Sequence, residues 1–453
     1  MLEQWLNKMH PYQRDAFNWI VLHKYCGLFL PPGLGKTFTT LVAIYTLISS
    51  GTVDRVLIIA PLRVVYMVWP LELVKWGFNH VLSIGILHGA SKDSVIRQKH
   101  DIYMINPEGL KWLYAEHSRL FEAHKFMLVV DESTMFKNND TGRFRLLRKY
   151  IPKYSRRLIL TGTPAPNGLI QLWSQIYILD MGKRLKPHIT HFRNKYFNYN
   201  KYSSTYELRK GTESDIFSSV DDIIMHKSND ELDLPDKTNN YITILLPKPV
   251  RTMYNDMLES YITELEGTEV KLKALNATAR ASNLKQMANG IVYGEEKIPV
   301  NVHDEKLMAL DELVDTLAGK PLLVAYEYNH DLEKLKYHFN NPPHIGGGVS
   351  GDELSRIVAK WNRGLIPILL VQPQAGGHGL NLQEGNCCDI CWYSITFDLE
   401  LYMQLNARIH RQGVKSAVTI HHIVAKDTVD ERVVKALEGK STMQDALLNY
   451  LLK

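Results

Sequence analysis

A chain of 453 residues is too long for one hydrophobic core of ordinary size, so its sequence predicts two or three domains. Hydrophobic residues make up 45% of the chain and charged residues 22%, as in ordinary globular proteins, which argues against a disordered or fibrous chain. The formal net charge of +5 permits binding to nucleic acid but is too small to indicate it.

The sequence predicts a cytoplasmic protein without a membrane-spanning segment. Its most apolar stretch, VLIIAPLRVVYMVWPLELV, is interrupted by Pro61, Arg63 and Pro70, whereas a spanning helix needs about 20 mostly uncharged apolar residues. The N-terminal stretch MLEQWLNKMHPYQ contains no apolar signal core. Four cysteines in so long a chain do not make a disulfide framework, which indicates a reducing, intracellular setting.

Through the first 185 residues, short apolar runs alternate with longer amphipathic ones. The runs GLFLPP, RVLIIAP, IYMIN, FMLVVDES and RRLILTGTP are compact and end in turn-forming residues. Helix-like stretches such as TFTTLVAIYTLISSG lie between them. This rhythm predicts βαβ units around a parallel sheet, and strands that are apolar throughout are typical of a sheet covered on both faces.

The alternation stops between residues 186 and 300. RTMYNDMLESYITELEG and KLKALNATARASNLKQMANG have helical periodicity, and NNYITILLP is interpreted as one strand. Short apolar runs return in PLLVAYEY, ILLVQP, CDICWYSI and VTIHHIVA. We therefore predict an α/β protein with two units, residues 1–185 and 301–453, separated by mostly helical insertions over 186–300.

The stretch LFLPPGLGKTFTT has the order strand, turn, helix that phosphate binding requires, because the N–H groups and dipole of a helix N-terminus attract anions. Gly33 and Gly35 would let the backbone approach a phosphate closely. Lys36 would reach the β and γ phosphates, and Thr37 would place its hydroxyl on Mg²⁺. Leu30 stands where the general pattern has glycine, so a tight turn with an exposed lysine is the alternative.

The stretch FMLVVDEST predicts a second part of the same site. An apolar strand ending in Asp131 and Glu132 places two carboxylates at the carboxyl edge of a sheet, where ligands bind in open α/β folds. Asp131 would hold Mg²⁺ and Glu132 would polarise the attacking water. Acidic residues also cap helices, so the pair taken alone is open to that simpler interpretation.

Two further loops contain residue types that suit a nucleotide or nucleic-acid site. In LILTGTPAPN a strand runs into hydroxyl residues that could link the nucleotide site to a moving second unit. In QAGGHGLNLQ, Gly376, Gly377 and Gly379 give a loop that a sugar-phosphate chain could approach. Each stretch is also explained as an ordinary connection between elements.

The stretch QLNARIHRQG places Gln404, Arg408 and Arg411 at helical spacing, which predicts that they share one helix face. Two guanidinium groups held together suit a γ-phosphate whose charge changes in the transition state. A solvated basic helix would have the same spacing.

These stretches occur in the order of one large family, and the chain resembles superfamily 2 helicase-like ATPases of the Swi/Snf type, especially the compact bacterial and bacteriophage forms. PPGLGKT matches the MGLGKT of that branch, whose members also lack the first glycine. DESTMFKN stands where the branch has DEAHxxKN, so Ser133 and Thr134 replace Ala and His. Three further stretches resemble motifs of the branch: LTGTPAPN resembles LTGTPxxN, QAGGHGLNLQ resembles xAGGxGLNL, and QLNARIHRQG resembles QAxxRxHRxGQ.

The resemblance implies two RecA-like lobes, of which residues 1–185 bind ATP with Mg²⁺ and residues 301–453 form the helicase C-terminal lobe. MHPYQRDAFNWI resembles the adenine-reading motif, so Gln13 is expected to contact adenine with Tyr12 nearby. The other expected nucleotide contacts are Gly33, Leu34, Gly35, Lys36, Thr37, Phe38, Gly379 and Gln404, with Thr37 and Asp131 on Mg²⁺. The expected catalytic residues are Lys36, Asp131, Glu132, Arg408 and Arg411.

The resemblance further implies a monomeric motor that couples ATP hydrolysis to movement along duplex DNA, with branched or forked DNA as a further substrate, in the cytoplasm of a bacterium or a phage-infected cell. Such a motor contacts mainly the phosphate backbone. By motif position the expected DNA contacts are Arg63, Asn106, Thr163, Gly377 and Asn381. A strand-separating DNA or RNA helicase and a motor subunit of a restriction or recombination assembly remain alternatives.

The stretch HFRNKYFNYNKY mixes basic and aromatic residues and contains no acid. Its basic residues Arg193, Lys195 and Lys201 interleave with Phe192, Tyr196, Phe197, Tyr199 and Tyr202. This mixture suits nucleic acid, and packing of an inserted helix explains the aromatic residues equally well.

Overall fold

The computed structural model describes residues 1–162, 164–165, 168–200, 205–227, 235–266, 280–293, 298–376, 380–385, 387–411, 414 and 416–439. The chain divides into two units, Met1–Asn200 with Tyr206–Asp233 and Lys201–Thr205 with Leu234–Lys453. Among the described residues, no helix combines the length and the apolar character that crossing a bilayer requires.

The strands up to residue 227 are β1 (Tyr25–Phe29), β2 (Arg55–Ile59), β3 (Ile84–Ile86), β4 (Ile102–Ile105), β5 (Phe126–Asp131), β6 (Arg156–Thr161), β7 (Phe197–Asn200), β8 (Thr205–Leu208) and β9 (Ile224–His226). The helices are α1 (Leu2–Lys8), α2 (Pro11–Leu22), α3 (Lys36–Ser49), α4 (Leu62–Met67), α5 (Trp69–Lys75), α6 (Lys92–Arg97), α7 (Leu110–Glu116), α8 (Leu120–Ala123), α9 (Gly142–Tyr150), α10 (Leu172–Asp180), α11 (Ile189–Tyr196) and α12 (Glu213–Ser218).

The later strands are β10 (Lys237–Ile244), β11 (Ile291–Tyr293), β12 (Pro299–Asn301), β13 (Leu322–Ala325), β14 (His344–Ile345), β15 (Ile368–Val371), β16 (Asp389–Trp392) and β17 (Val418–Ala425). The later helices are α13 (Lys248–Glu266), α14 (280–288), α15 (Glu305–Leu317), α16 (Asn329–His338), α17 (Gly351–Asn362), α18 (Pro373–Gly376), α19 (Leu399–Asn406) and α20 (Val429–Leu437).

Each unit is built around a parallel sheet. The first sheet has the order β3-β4-β2-β5-β6-β1-β9 and the second the order β10-β17-β16-β13-β15-β14, and every recorded pairing in both is parallel. Strand β5 is buried along its whole length, as expected of a central strand covered on both faces. The predicted fold class, two α/β units with parallel sheets, is confirmed.

The order β5-β6-β1 positions the loops that matter for function. Parallel strands end at the same edge of a sheet, so the segments that follow these three neighbours emerge side by side. The register pairs Phe29 with Thr161 and Asp131 with Leu160 at that edge. The loop before α3, the acidic pair and the threonine-rich loop are therefore adjacent.

Residues 186–300 contain more strands than the one expected from NNYITILLP. That strand exists as β10, and it joins the second sheet beside β17. Strand β9 joins the first sheet beside β1, while β7–β8 and β11–β12 form separate two-stranded sheets. The extra strands are three or four residues long, and β7 reads FNYN, so they lack the apolar run that predicts a strand.

A buried polar network joins the helices of the second unit to its sheet. Lys306 Nζ lies 2.6 Å from Asp430 Oδ2 and donates to Asn289 Oδ1 over 2.8 Å. Asn289 Nδ2 donates in turn to Asp331 Oδ2 over 3.1 Å and to Ser394 Oγ over 2.9 Å. Burial raises the pKa of Asp331 to about 7, although the charge on Lys306 opposes this shift.

We expect Asp331 to make the protein less stable as the pH rises from about 4 to about 7. The folded state keeps a proton on Asp331 that the unfolded chain releases near pH 4, so the free energy of unfolding falls by up to about 1.4 kcal/mol per pH unit in this window. Asp331→Asn stays neutral and should lack this slope. Urea unfolding at several pH values measures the difference, and parallel slopes for both proteins would contradict the assignment.

Candidate functional site

The loop between β1 and α3 curls around its own lysine. Gly33 and Gly35 have left-handed backbones, with φ of 93° and 70°, and helix α3 begins directly after Gly35. Lys36 Nζ donates to the carbonyl of Leu30 over 2.6 Å and to that of Pro31 over 3.2 Å. The ammonium therefore lies inside the loop, beside the N–H groups of the first turn of α3, which have no acceptor within a helix.

Helix α2 locks this loop through Gln13, which is buried. Gln13 Nε2 donates to the carbonyl of Leu34 over 3.3 Å, and Gln13 Oε1 accepts from the backbone N–H of His10 over 3.0 Å. A Cβ on Gly35 would lie 2.2 Å from Gln13 Nε2. The loop thus requires glycine at this position for two reasons, its left-handed backbone and the contact with Gln13.

The other residues near this loop that are expected to contact the nucleotide differ in how exposed their side chains are. The side chains of Leu34 and Phe38 are buried, and the ring of Phe38 stacks on Trp76 with centroids 4.1 Å apart, so both side chains pack the core. Tyr12 is also buried, with its ring stacked on His10. Thr37 is half-buried in the first turn of α3.

The acidic pair lies at the end of β5. Asp131 is buried; its Oδ2 accepts from Trp69 Nε1 over 2.9 Å and its Oδ1 from the backbone N–H of Glu132 over 3.1 Å. Burial raises the pKa of Asp131, the charge on Glu132 adds to the shift, and the ammonium of Lys36 opposes it. The lysine of the loop and the two carboxylates therefore share one electrostatic environment.

Glu132 has a left-handed backbone, with φ of 55°. A non-glycine residue in this region costs roughly 1–2 kcal/mol and persists only where surrounding contacts hold it. A 3₁₀ turn, Ser133–Phe136, follows directly.

Sequence reasoning missed Gln175, which connects two of the predicted loops. Ser133 Oγ donates to Gln175 Oε1 over 2.7 Å, and Gln175 Nε2 donates to the carbonyl of Pro164 over 2.6 Å. Gln175 is fully buried in helix α10, whose other residues are mostly apolar. A polar residue within LWSQIYILD was the available signal, since buried amides almost always have hydrogen-bond partners.

The threonine-rich loop packs directly against the loop before α3. The backbone N–H of Leu30 donates to the carbonyl of Thr161 over 3.1 Å, and a Cβ on Gly162 would lie 2.8 Å from Pro32 Cδ. Thr163, an expected DNA contact, lies outside the described residues.

Arg63 and Asn106, two other expected DNA contacts, follow the neighbouring strands β2 and β4. Arg63 Nη1 and Asn106 Oδ1 are buried, and neither atom has a hydrogen-bond partner within the described part of the chain. Asn106 Nδ2 donates to Glu108 Oε2 over 2.7 Å. Burial lowers the pKa of Arg63. Buried polar atoms without partners are uncommon, and at a sheet edge they suit a ligand.

In the second unit the prediction of one helix face for Gln404, Arg408 and Arg411 is wrong. Helix α19 ends at Asn406, and the two arginines lie in the turns after it. Asn406 Oδ1 accepts from Trp392 Nε1 over 3.0 Å, which holds the helix end against β16. Asparagine also favours helix ends over helix interiors, because its side chain competes for hydrogen bonds with the backbone.

The arginines nevertheless converge on one segment of the chain. Arg408 Nη1 donates to the carbonyl of Leu380 over 3.4 Å, and Arg411 Nη1 donates to Asn381 Oδ1 over 2.7 Å. Gln404 is buried and donates to Glu400 Oε1 over 3.2 Å. The expected phosphate-contacting arginine and the expected DNA contact Asn381 thus bind each other.

The glycine-rich loop is only partly described. Gly377 and Gly379 lie outside the described residues. A Cβ on Gly376 would lie 2.2 Å from Val371 Cγ2, so the close packing of α18 on β15 explains this glycine without a ligand.

Comparison with known proteins identifies two domains in this chain. Residues 12–292 match the SNF2-related domain, and residues 305–413 match the helicase conserved C-terminal domain. The chain is 33% identical to putative protein p41 of Acyrthosiphon pisum secondary endosymbiont phage 1, over 97% of this chain and 98% of that protein.

The other relatives are more distant and longer. The chain is 26% identical to the putative ATP-dependent helicase/translocase YwqA of Bacillus subtilis, over 97% of this chain and 49% of that protein. It is 24% identical to the DNA repair and recombination protein RAD54-like of Drosophila ananassae, over 92% and 58%. The SWI2/SNF2 ATPase core of Sulfolobus solfataricus in complex with dsDNA aligns with 20% identity and a TM-score of 0.45, over 98% of this chain and 95% of that one.

We expect Gly35→Ala to weaken ATP binding strongly, because the methyl group collides with Gln13 Nε2 inside the loop. Gly51→Ala is a matched control: its φ of 68° imposes the same backbone strain, and apart from its two chain neighbours no described residue lies within 4 Å of its Cβ. Titration with a fluorescent ATP analogue measures affinity, and thermal unfolding measures stability. Equal affinity in the two variants would show that the contact with Gln13 does not shape the nucleotide loop.

Proposed function

The chain belongs to the SNF2-related family of helicase-like ATPases, and from this premise we propose that it couples ATP hydrolysis to movement along duplex DNA. The main structural support is the convergence of the lysine loop, the acidic pair and the threonine-rich loop at one edge of the first sheet. The chain spans about half the length of relatives such as YwqA. Movement along DNA is therefore proposed for this chain and not taken over from them.

The lysine loop fits a triphosphate. Its left-handed glycines remove side chains from the inner surface, and the first turn of α3 offers N–H donors to an anion. Lys36 would exchange its two carbonyl acceptors for phosphate oxygens, which bind an ammonium more strongly because they carry charge. Gln13 and Tyr12 would lie at the adenine.

The acidic pair fits Mg²⁺ held by Asp131 and by the hydroxyl of Thr37. Burial and the neighbouring Glu132 disfavour ionised Asp131, and a divalent cation would stabilise the ionised form. Bound there, Mg²⁺ would neutralise charge on the phosphates. Glu132, the next residue, would orient and polarise the attacking water.

Hydrolysis also requires cationic groups beside the transferred phosphate, to stabilise its negative charge. We assign this role to Arg408 and Arg411. A guanidinium remains charged at all relevant pH values and binds phosphate oxygens in a fixed geometry. An arginine in this role contributes a factor of about 10³ or more in rate.

The DNA contacts that we propose are Arg63, Asn106, Thr163, Gly377 and Asn381. The buried atoms Arg63 Nη1 and Asn106 Oδ1, which lack hydrogen-bond partners in the described chain, support this role for the first two residues. Contacts to phosphates position a protein on DNA without reading its sequence, as a motor that moves along DNA requires.

We expect Lys36→Ala and Arg411→Ala each to lower ATP turnover by about 10³ or more, because both remove charge that stabilises the transferred phosphate. Phosphate release under saturating duplex DNA measures the effect. The exposed residues Lys111 and Arg363 provide matched controls, since their alanine variants remove the same charge elsewhere. Near-normal turnover in either site variant would refute its assignment.

Duplex DNA should raise ATP turnover, and this stimulation should fall steeply with salt because bound phosphates release counterions. Turnover measured with duplex, single-stranded and forked DNA and with RNA tests the substrate class. Arg63→Gln should weaken binding to every sequence and lower the slope of log affinity against log salt by about 1. Equal turnover with and without any nucleic acid would contradict the proposed function.

A further inference from the structure

The structure divides the aromatic residues of HFRNKYFNYNKY into two groups. Phe192, Tyr196 and Phe197 are buried in the core of the first unit, so packing explains them. Tyr199 is 52% exposed, and packing does not explain it. Lys201 and Tyr202 lie outside the described residues.

Tyr199 and Tyr206 form an exposed aromatic pair on the small sheet β7–β8. Their ring centroids are 5.1 Å apart and the ring planes meet at 53°. Tyr206 is 36% exposed. Phe197 and Leu208, two residues away along each strand and so on the same face, pack against the core and anchor this sheet. We call the Tyr199–Tyr206 pair with Arg193 the tyrosine surface.

Arg193 extends from helix α11 onto this pair. Its guanidinium carbon lies 4.6 Å from the centroid of the Tyr206 ring, within the range of a cation–π contact. Arg193 Nε is buried and has no hydrogen-bond partner in the described part of the chain. The guanidinium therefore lies against the ring and can still donate to an anion.

The segment that carries the tyrosine surface contains more basic than acidic residues. Lys195 and Lys210 are exposed nearby in the chain, whereas Arg209 donates to Asn198 Oδ1 on the face opposite the rings. The one acidic residue between His188 and Thr212 is Glu207. Glu207 lies on the opposite face of β8 from Tyr206, where its Oε1 accepts from Asn200 Nδ2 over 2.6 Å. The face that carries the rings therefore suits an anionic partner.

A cross-strand aromatic pair also stabilises a short sheet, which is the simpler explanation of these tyrosines. Stabilisation of β7–β8 does not require half-exposed rings, a guanidinium stacked on one of them and a segment rich in basic residues. Exposed aromatic faces beside cationic side chains are instead the arrangement that binds unpaired nucleotides, whose bases stack while their phosphates meet the positive charge.

We propose that the tyrosine surface binds single-stranded DNA, with bases stacked on Tyr199 and Tyr206 and a phosphate against Arg193. Paired bases in a duplex are already stacked inside the helix and offer these rings no free face, so the surface should discriminate unpaired from paired DNA. This inference rests on the proposed function, because it takes DNA as the substrate. It adds that the motor engages DNA where an unpaired stretch adjoins a duplex.

The test compares the affinity for a labelled single strand of about 12 nucleotides, a typical binding-site length, with that for a blunt duplex by fluorescence anisotropy, without ATP. The double variant Tyr199→Ala, Tyr206→Ala should bind the single strand about tenfold or more weakly. Its affinity for the duplex should stay within about twofold of the parent, because duplex binding depends on phosphate contacts elsewhere. The double variant with Phe at both positions should bind the single strand like the parent, since stacking needs the ring and not the hydroxyl.

Tyr337→Ala is the matched control, because Tyr337 is 93% exposed and lies in the second unit. Unchanged single-strand binding in the double alanine variant would overturn the inference, whatever the ATP turnover. Equal losses on single strand and duplex would also overturn it and would show a general DNA surface.

Failure of the proposed function gives a different pattern. If duplex DNA fails to stimulate ATP turnover while the alanine variant still loses single-strand affinity and the phenylalanine variant keeps it, the motor assignment is wrong and the tyrosine surface stands. If duplex stimulation is normal and neither variant changes single-strand binding, the motor assignment stands and the tyrosine surface is refuted.

Discussion

The site depends on the electrostatic relation between the buried carboxyl of Asp131 and the ammonium of Lys36. Burial disfavours a charged carboxylate, and Glu132 beside it makes ionisation harder still. The lysine of the neighbouring loop opposes both effects. Trp69 and the backbone of Glu132 supply hydrogen bonds that further favour the charged form. The charge on Lys36 thus helps to keep Asp131 ionised. The parallel order of β5, β6 and β1 places the lysine loop and the acidic pair at the same sheet edge.

A chain of hydrogen bonds extends this dependence to the threonine-rich loop. Ser133 replaces the alanine expected from the family pattern, and its hydroxyl requires a partner because it is fully buried. Gln175 provides that partner and bonds Pro164 with the other end of its amide. Two short hydrogen bonds thus join the segment after the acidic pair to the loop after β6.

In the second unit, Asn381 accepts hydrogen bonds from two different residues. Its side-chain oxygen Oδ1 accepts from Arg411 Nη1, and its backbone carbonyl accepts from Asn362 Nδ2 over 3.0 Å. A residue proposed for DNA and a residue proposed for phosphate therefore share a hydrogen bond. A ligand that draws either side chain away would therefore change the surroundings of the other.

The sequence by itself determined the parallel sheets, the positions of the lysine loop and the acidic pair, and the family, because these depend on local runs of apolar residues and on ordered short motifs. It could not place Gln175 or Trp69, since their roles arise from partners 42 and 62 residues away along the chain. Helical spacing suggested one face for Gln404, Arg408 and Arg411, but contacts with β16 ended the helix first. Only tertiary structure separated buried Phe192 from exposed Tyr199, because burial depends on what packs against each face and not on residue type.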